Sequence, residues 1–187
     1  MKILQVGAYP AFEVLEVPIP EPGPNEVLLK VEAVTTCPQW DLHLRHNEPM
    51  FLGHRFTYPY TPGQPGHEAT GTLAALGAGV TGLQIGERVS AWRDPGSHRQ
   101  GCYAQYVVLA AENVIRVPAS LPFPATAPLE LAMCVGAMFP MLKEMRAIAG
   151  KRVAINGLGP AGLIAAQMVR AEGAAHVLGF DLSIERR

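Results

Sequence analysis

Hydrophobic and polar positions change their rhythm once along this chain, near Pro124. Before that point apolar residues come in short alternating runs separated by Gly and Pro. Glu26 to Val34, EVLLKVEAV, sets Val27, Leu29, Val31 and Ala33 on one side and Lys30 and Glu32 on the other. That is the two-residue period of a half-buried strand. TGTLAALG, ERVSAW, CYAQYVVL and NVIRVP read as further short strands. Many short strands joined by Gly and Pro turns predict a compact β barrel or sandwich. After PASLPFPATAP, Ala127 to Ile148 is helical in composition, with a bend expected at Pro140. KRVAIN then reads as a buried strand, PAGLIAAQMVRAEG as a helix closed by Gly173, and HVLGFD as a second strand. That order is β-α-β, the opening of a parallel α/β sheet. The expected domains are 1–147, with a linking helix at about 127–147, and 148–187.

Composition narrows the partners. Hydrophobic residues make up 49% of the 187, so a packed protein is expected. A formal net charge of −1 offers no electrostatic footprint for nucleic acid or an anionic membrane. Small molecules and other protein chains come first. The start lacks the basic stretch and apolar block of a signal peptide. The most apolar stretch, Ala127 to Leu142, is interrupted by Glu130 and Pro140 and reads as a buried helix, not a membrane span. Cys37, Cys102 and Cys134 are too few and too widely spaced for a disulfide framework, so a reducing cytoplasm is the expected location.

The glycines of VAINGLGPAGL have a chemical use. Gly157, Gly159 and Gly162 form G-x-G-x-x-G between a strand and a helix, and the next strand ends on Asp181. Gly157 allows the tight turn, Gly159 lets the backbone approach a pyrophosphate, and Gly162 lets helix and strand pack closely. Pro160 suits the first helical turn, where its missing N–H costs nothing. The helix N-terminus offers free N–H groups to phosphate. Asp181 can accept both ribose hydroxyls of an adenosine and repels a 2′-phosphate, which favours NAD over NADP; Arg186 and Arg187 nearby leave some room for NADP.

Gln64 to Val80, QPGHEATGTLAALGAGV, sets His67 beside Glu68 between two glycines. The pair is either a metal site or a polar turn at the mouth of a strand. This segment, with GCYAQYVVLAAENVIRVP and AINGLGPAGLIAAQ, resembles the zinc-containing alcohol dehydrogenases of the medium-chain dehydrogenase/reductase superfamily, in particular its polyol and threonine dehydrogenase branch. The resemblance runs from about Pro22 to the last residue, and G-H-E followed by Gly71, Gly77 and Gly79 is its most specific piece. It implies a GroES-like β barrel carrying a catalytic zinc, followed by the start of a Rossmann fold, of which the chain holds only β-α-β. It also implies that His67 is a zinc ligand, with Glu68 a ligand or an outer group. A catalytic zinc takes about three protein ligands and keeps one position open.

Two departures touch the other ligands. TTCPQWDLHL resembles the family's Cys-x-Ser/Thr-Asp-x-His segment, but Cys37 sits one residue too far from Asp41 and His43, and Trp40 stands where a hydroxyl residue relays the proton. Cys37 is either a ligand aimed by a local bulge or a small buried side chain. Glu130, in PLELAMCV, resembles the glutamate ligand of the polyol branch; its alternative is an acid favoured by a helix N-terminus. The resemblance makes His43 an outer proton relay, or else a solvated histidine, and lets Asp41 orient a ligand. His46, His54, His98 and His176 match no motif. A second, structural zinc is not expected, since AWRDPGSHRQGCYAQY offers only Cys102.

The expected function is zinc-dependent oxidation of an alcohol or polyol with NAD. The alternatives are a zinc-free reductase similar to the quinone oxidoreductases, or a partial chain that binds without turnover. Six residues follow Asp181, so the strand expected on the free edge of the first Rossmann strand is lacking. The 187 residues alone are therefore expected to be inactive. Expected partners are a small alcohol or carbonyl substrate and either a second copy or a complementing C-terminal chain.

Overall fold

In the computed structural model, residues 1–8, 11–92 and 98–187 are described, and they divide into two compact units, Met1–Glu130 and Leu131–Arg187. The first unit is mainly antiparallel sheet. A hairpin of β1 (Lys2–Val6) and β2 (Phe12–Glu16) precedes a five-stranded sheet of β3 (Glu26–Thr35), β4 (Glu68–Leu76), β5 (Arg88–Ala91), β6 (Tyr106–Ala110) and β7 (Val114–Arg116). Its order is β6-β3-β4-β5-β7, and every neighbouring pair is antiparallel. The alternation in EVLLKVEAV holds where it matters. Val27 and Leu29 are fully buried and join Leu73, Val89, Val107 and Leu109 in one core, while Lys30 and Glu32 face outward.

β3 and β4 slip register between Leu28 and Leu29 and again between Val31 and Ala33. Gly71 pairs with Val31 beside the second slip, and a β-carbon there would stand 1.9 Å from the Lys30 carbonyl oxygen. A bulge that brings backbones this close admits only glycine. The result fixes where β4 starts, and β4 begins at Glu68, one residue after His67.

Three elements differ from expectation. The β1–β2 hairpin was not foreseen, and neither was α1 (Pro38–His46), which follows β3 directly. Pro38 occupies the first turn of α1, where it costs no hydrogen bond, and Asn47 ends the helix at φ 54°. A separate turn of helix, α2 (Phe123–Thr126), precedes the expected bent helix over Ala127 to Ile148, which is two short pieces, α3 (Leu129–Gly136) and α4 (Phe139–Glu144). Pro140 lies in the first turn of α4, so it opens a helix and does not bend one. The segment 131–147, expected to link the domains, clusters with the second unit, because Phe139 and Ile148 bury against Val169.

The second unit contains β8 (Arg152–Asn156), α5 (Pro160–Ala171) and β9 (His176–Phe180), with β8 and β9 parallel and paired from Arg152–His176 to Asn156–Phe180. The β-α-β order is as expected. β8 is half-buried, not buried: Val153 and Ile155 pack into the core with Val169, while Arg152, Ala154 and Asn156 are exposed. Among the described residues no helix is long and apolar enough to cross a membrane. Residues 93–97, central to the expectation of no second zinc lobe, lie outside the described residues.

Candidate metal centre and nucleotide loop

His67 lies in the turn that enters β4, and 7% of its surface is exposed. Its ring is oriented by the backbone: Nδ1 stands 2.7 Å from the Pro65 carbonyl oxygen. A carbonyl only accepts, so Nδ1 is the protonated nitrogen and Nε2 carries the lone pair in the neutral ring. Nε2 points at two carboxylates, Glu68 Oε1 at 3.8 Å and Glu130 Oε2 at 4.0 Å. Cys37 completes the group: its sulfur, a His67 nitrogen and a Glu68 oxygen all lie within 4.8 Å of one another. Glu130 arrives from α3, which follows directly on α2. That junction is tied to the sheet by buried bonds, Thr70 Oγ1 to Thr126 Oγ1 at 3.0 Å and Ser90 Oγ donating to the Thr126 carbonyl at 3.2 Å.

The donor set fits a cation. Zinc binds nitrogen and oxygen at about 2.0–2.2 Å and sulfur at about 2.3 Å, so tetrahedral ligands stand about 3.3–3.8 Å from one another. The 3.8 and 4.0 Å separations are close to that without being hydrogen bonds. A lone pair facing the buried Glu68 and the partly buried Glu130, with a thiol beside them, is a donor set that positive charge between them would stabilise. The charges respond accordingly. Burial pushes the Glu68 carboxyl up, against the pull of its bond from the Thr35 hydroxyl and of His67. Burial likewise pushes the Cys37 thiol up, with Glu68 and Asp41 adding to it, while the Trp40 and Gln39 amides at the start of α1 pull it down.

Cys37 reaches the cluster as the residue immediately before α1. The extra residue is absorbed in the first turn of that helix: the Cys37 carbonyl accepts from the Asp41 N–H at 2.9 Å, and the Cys37 N–H donates to Asp41 Oδ2 at 2.7 Å. Asp41 thus touches Cys37 and not the histidine ring's Nδ1, which Pro65 holds. Burial raises the Asp41 carboxyl, opposed by donation from the Tyr103 hydroxyl and the Cys37 N–H. Trp40 turns into an aromatic cluster, edge-on to His54 at 6.2 Å and to Phe56 at 6.5 Å. His43 lies in the last turn of α1 with Nδ1 3.2 Å from the Glu48 carbonyl oxygen. Sequence reasoning missed Thr35 and Tyr103. Tyr103 sits in CYAQYVVL, read as a strand, and Thr35 opens TTCPQWDLHL, read for its cysteine and histidine; no spacing rule marks either hydroxyl.

The glycine loop has the backbone it was expected to have. Gly157 takes φ 94°, Gly159 precedes α5, and Pro160 is its first residue. A β-carbon on Gly162 would fall 1.8 Å from the Gly157 carbonyl oxygen. Asp181 follows β9 and is held by the chain itself: Oδ2 accepts from the Leu158 N–H at 2.7 Å and Oδ1 from the Ser183 N–H at 2.8 Å. These two bonds keep its carboxyl below the usual range. Arg186 Nη1 stands 4.0 Å from Asp181 Oδ2.

Comparison with known proteins agrees with this architecture. Residues 23–119 match the alcohol dehydrogenase GroES-like domain. L-threonine 3-dehydrogenase of Ruegeria pomeroyi is 32% identical over 197 residues, covering 92% of this chain and 54% of that protein. The crystal structure of galactitol-1-phosphate dehydrogenase from Escherichia coli superposes with a TM-score of 0.81 at 28% identity, covering 100% of this chain and 57% of the other. A dehydrogenase from Sinorhizobium meliloti, solved bound to NADP, gives 0.79 at 28% identity over 100% of this chain and 57% of its own. The chain therefore spans about half the length of the relatives it matches.

Proposed function

We propose, for a chain that belongs to the alcohol dehydrogenase family of the medium-chain dehydrogenase/reductase superfamily, that it carries the metal centre and the adenosine-binding loop of a zinc-dependent, NAD-linked dehydrogenase of small alcohols or polyols. One observation carries the reading: His67 Nε2 faces Glu68 and Glu130, with the Cys37 sulfur in the same cluster. His67, Cys37 and Glu130 are the proposed zinc ligands, with Glu68 alternating as a ligand or standing just outside. When bound, zinc supplies Lewis-acid polarisation of a substrate oxygen, and the dinucleotide supplies the hydride acceptor.

The remaining work belongs to the chain's own side chains. Pro65 fixes the His67 ring by holding Nδ1–H, so the Nε2 lone pair stays available. The Thr35 hydroxyl donates to Glu68, which limits how far that carboxylate turns. Asp41 holds both backbone polar groups of Cys37. His43 is the proposed outer proton carrier; its Nδ1 faces the Glu48 carbonyl, which leaves Nε2 to exchange a proton.

The loop Gly157–Gly162 and the start of α5 are proposed to take the pyrophosphate. Each Asp181 oxygen accepts one backbone N–H and keeps acceptor capacity for a ribose hydroxyl. An oxygen so placed repels a 2′-phosphate, which supports NAD over NADP. Asp181→Gly is expected to move the NADP-to-NAD affinity ratio upward. It also weakens both, because the Leu158 N–H loses the charged acceptor that holds the loop. Calorimetric titration of the purified chain with each dinucleotide measures this, and equal affinities in the unsubstituted protein contradict the NAD assignment. For the metal, elemental analysis after mild dialysis is expected to find one zinc per chain.

A further inference from the structure

Tyr103 comes to the metal-facing cluster from a third direction. Its hydroxyl donates to the Asp41 carboxylate, 2.8 Å from Oδ1 and 2.9 Å from Oδ2. Asp41 in turn accepts the Cys37 N–H, and its own N–H reaches the Cys37 carbonyl. The other side of Tyr103 meets the histidine turn. A β-carbon on Gly66 would stand 2.8 Å from ring atoms of Tyr103 and 2.6 Å from its backbone nitrogen. Gly66 is bonded directly to His67. Tyr103 is itself pinned, since its N–H donates to the Gly63 carbonyl at 3.0 Å and its carbonyl accepts the Leu4 N–H at 2.9 Å.

We infer that Tyr103 is a positioning residue that sets the distance between the Cys37 sulfur and the His67 ring, through its hydrogen bond to Asp41 on one side and its packing on Gly66 on the other. The inference rests on the reading that Cys37 and His67 hold one metal ion. It explains how the longer Cys37 segment still delivers its thiol. A capping acid ordinarily sits at the third helical position, where it reaches back to the N–H of the residue before the helix. Here the acid is at the fourth, so Asp41 reaches one residue further. A carboxylate stretched in this way is held in place when a second, fixed donor satisfies its oxygens, and hydrogen bonds to ionised acceptors are the strong ones. The phenol is that donor. Burial and the adjacent Asp41 keep it protonated by raising it far above the usual tyrosine range.

Cobalt(II) is the probe, because a bound thiolate gives it a sulfur-to-metal charge-transfer absorption that carboxylate and imidazole do not. The chelator-stripped 187-residue chain is titrated with cobalt(II), alongside Cys37→Ser, Tyr103→Phe, Asp41→Asn and the double variant, with far-ultraviolet circular dichroism on each. The charge-transfer band is expected in the unsubstituted chain and absent in Cys37→Ser. Tyr103→Phe keeps the ring against Gly66 and is expected to weaken cobalt affinity roughly 10- to 100-fold, the usual consequence of losing an outer partner of a ligand, with a diminished band. Asp41→Asn is expected to lose a similar amount, and Tyr103→Phe to add little in that background. An undiminished band and affinity in Tyr103→Phe, with only the thermal midpoint lowered, overturns the inference, as does full additivity in the double variant. A band missing from the unsubstituted chain overturns the Cys37 ligand assignment itself, and this inference with it.

Discussion

With His67 changed to alanine, the chain is expected to lose its metal during dialysis that leaves the unsubstituted protein at one zinc per chain. His67 supplies the central nitrogen, within 4.0 Å of both Glu68 and Glu130. Without it, two acids and a thiol remain, and the Pro65 carbonyl loses its partner in a buried turn. Removing an outer partner of a ligand costs roughly 10- to 100-fold in metal affinity, and removing the ligand costs more than that. The matched control is His43→Ala. His43 lies in the last turn of α1, so metal content in that variant is expected to stay at one per chain. Elemental analysis of both variants checks the pair of outcomes. Equal metal loss in the two would detach the metal from His67.

Gly162→Ala is expected to weaken dinucleotide binding roughly 100-fold while leaving the metal in place. The added carbon falls 1.8 Å from the Gly157 carbonyl oxygen, and this oxygen is backbone, not the end of a flexible side chain. Gly157 already sits at φ 94°, so the loop has little freedom to retreat without changing the turn that presents its N–H groups. Overpacking of this kind costs about 1–3 kcal/mol or more. Charged to the loop conformation that binds, 3 kcal/mol corresponds to a loss of roughly 100-fold in affinity. Titration calorimetry with NAD, set beside zinc content, measures the two effects separately. NAD affinity unchanged in Gly162→Ala would show that the loop does not hold the pyrophosphate.

Much of this was legible in the sequence because its signals are local. The alternation of β3, the break near Pro124 and the β-α-β order of the second unit each depend on a few consecutive residues, and each appears in the structure. His67, Glu68 and Glu130 were nameable as candidates because G-H-E is a short motif and because a lone acid in PLELAMCV needs a partner. The structure brings them together from two elements. Other features were not legible, for physical reasons. PQWDLHLRH opens on proline and is mostly polar, so nothing in its pattern announced α1; what forms it is the capping of Cys37 by Asp41. The contacts that hold α2 and α4, the Thr70–Thr126 bond and the packing of Phe139 with Val169, join residues distant in sequence. Tyr103 lies 62 residues from Asp41, and no spacing rule connects them. Asp181 was read as an acceptor for ribose alone, yet it also ties down the loop at Leu158.

The proposed centre stands most directly on what surrounds the metal. X-ray absorption at the zinc edge, on the purified 187-residue chain loaded with one equivalent of zinc, reads that shell. The expected spectrum has one sulfur at about 2.3 Å and nitrogen or oxygen neighbours at about 2.0–2.2 Å. The sulfur contribution vanishes in Cys37→Ser and the imidazole scattering is lost in His67→Ala. A shell of oxygen and nitrogen alone, unchanged by both substitutions, contradicts a centre built from Cys37 and His67.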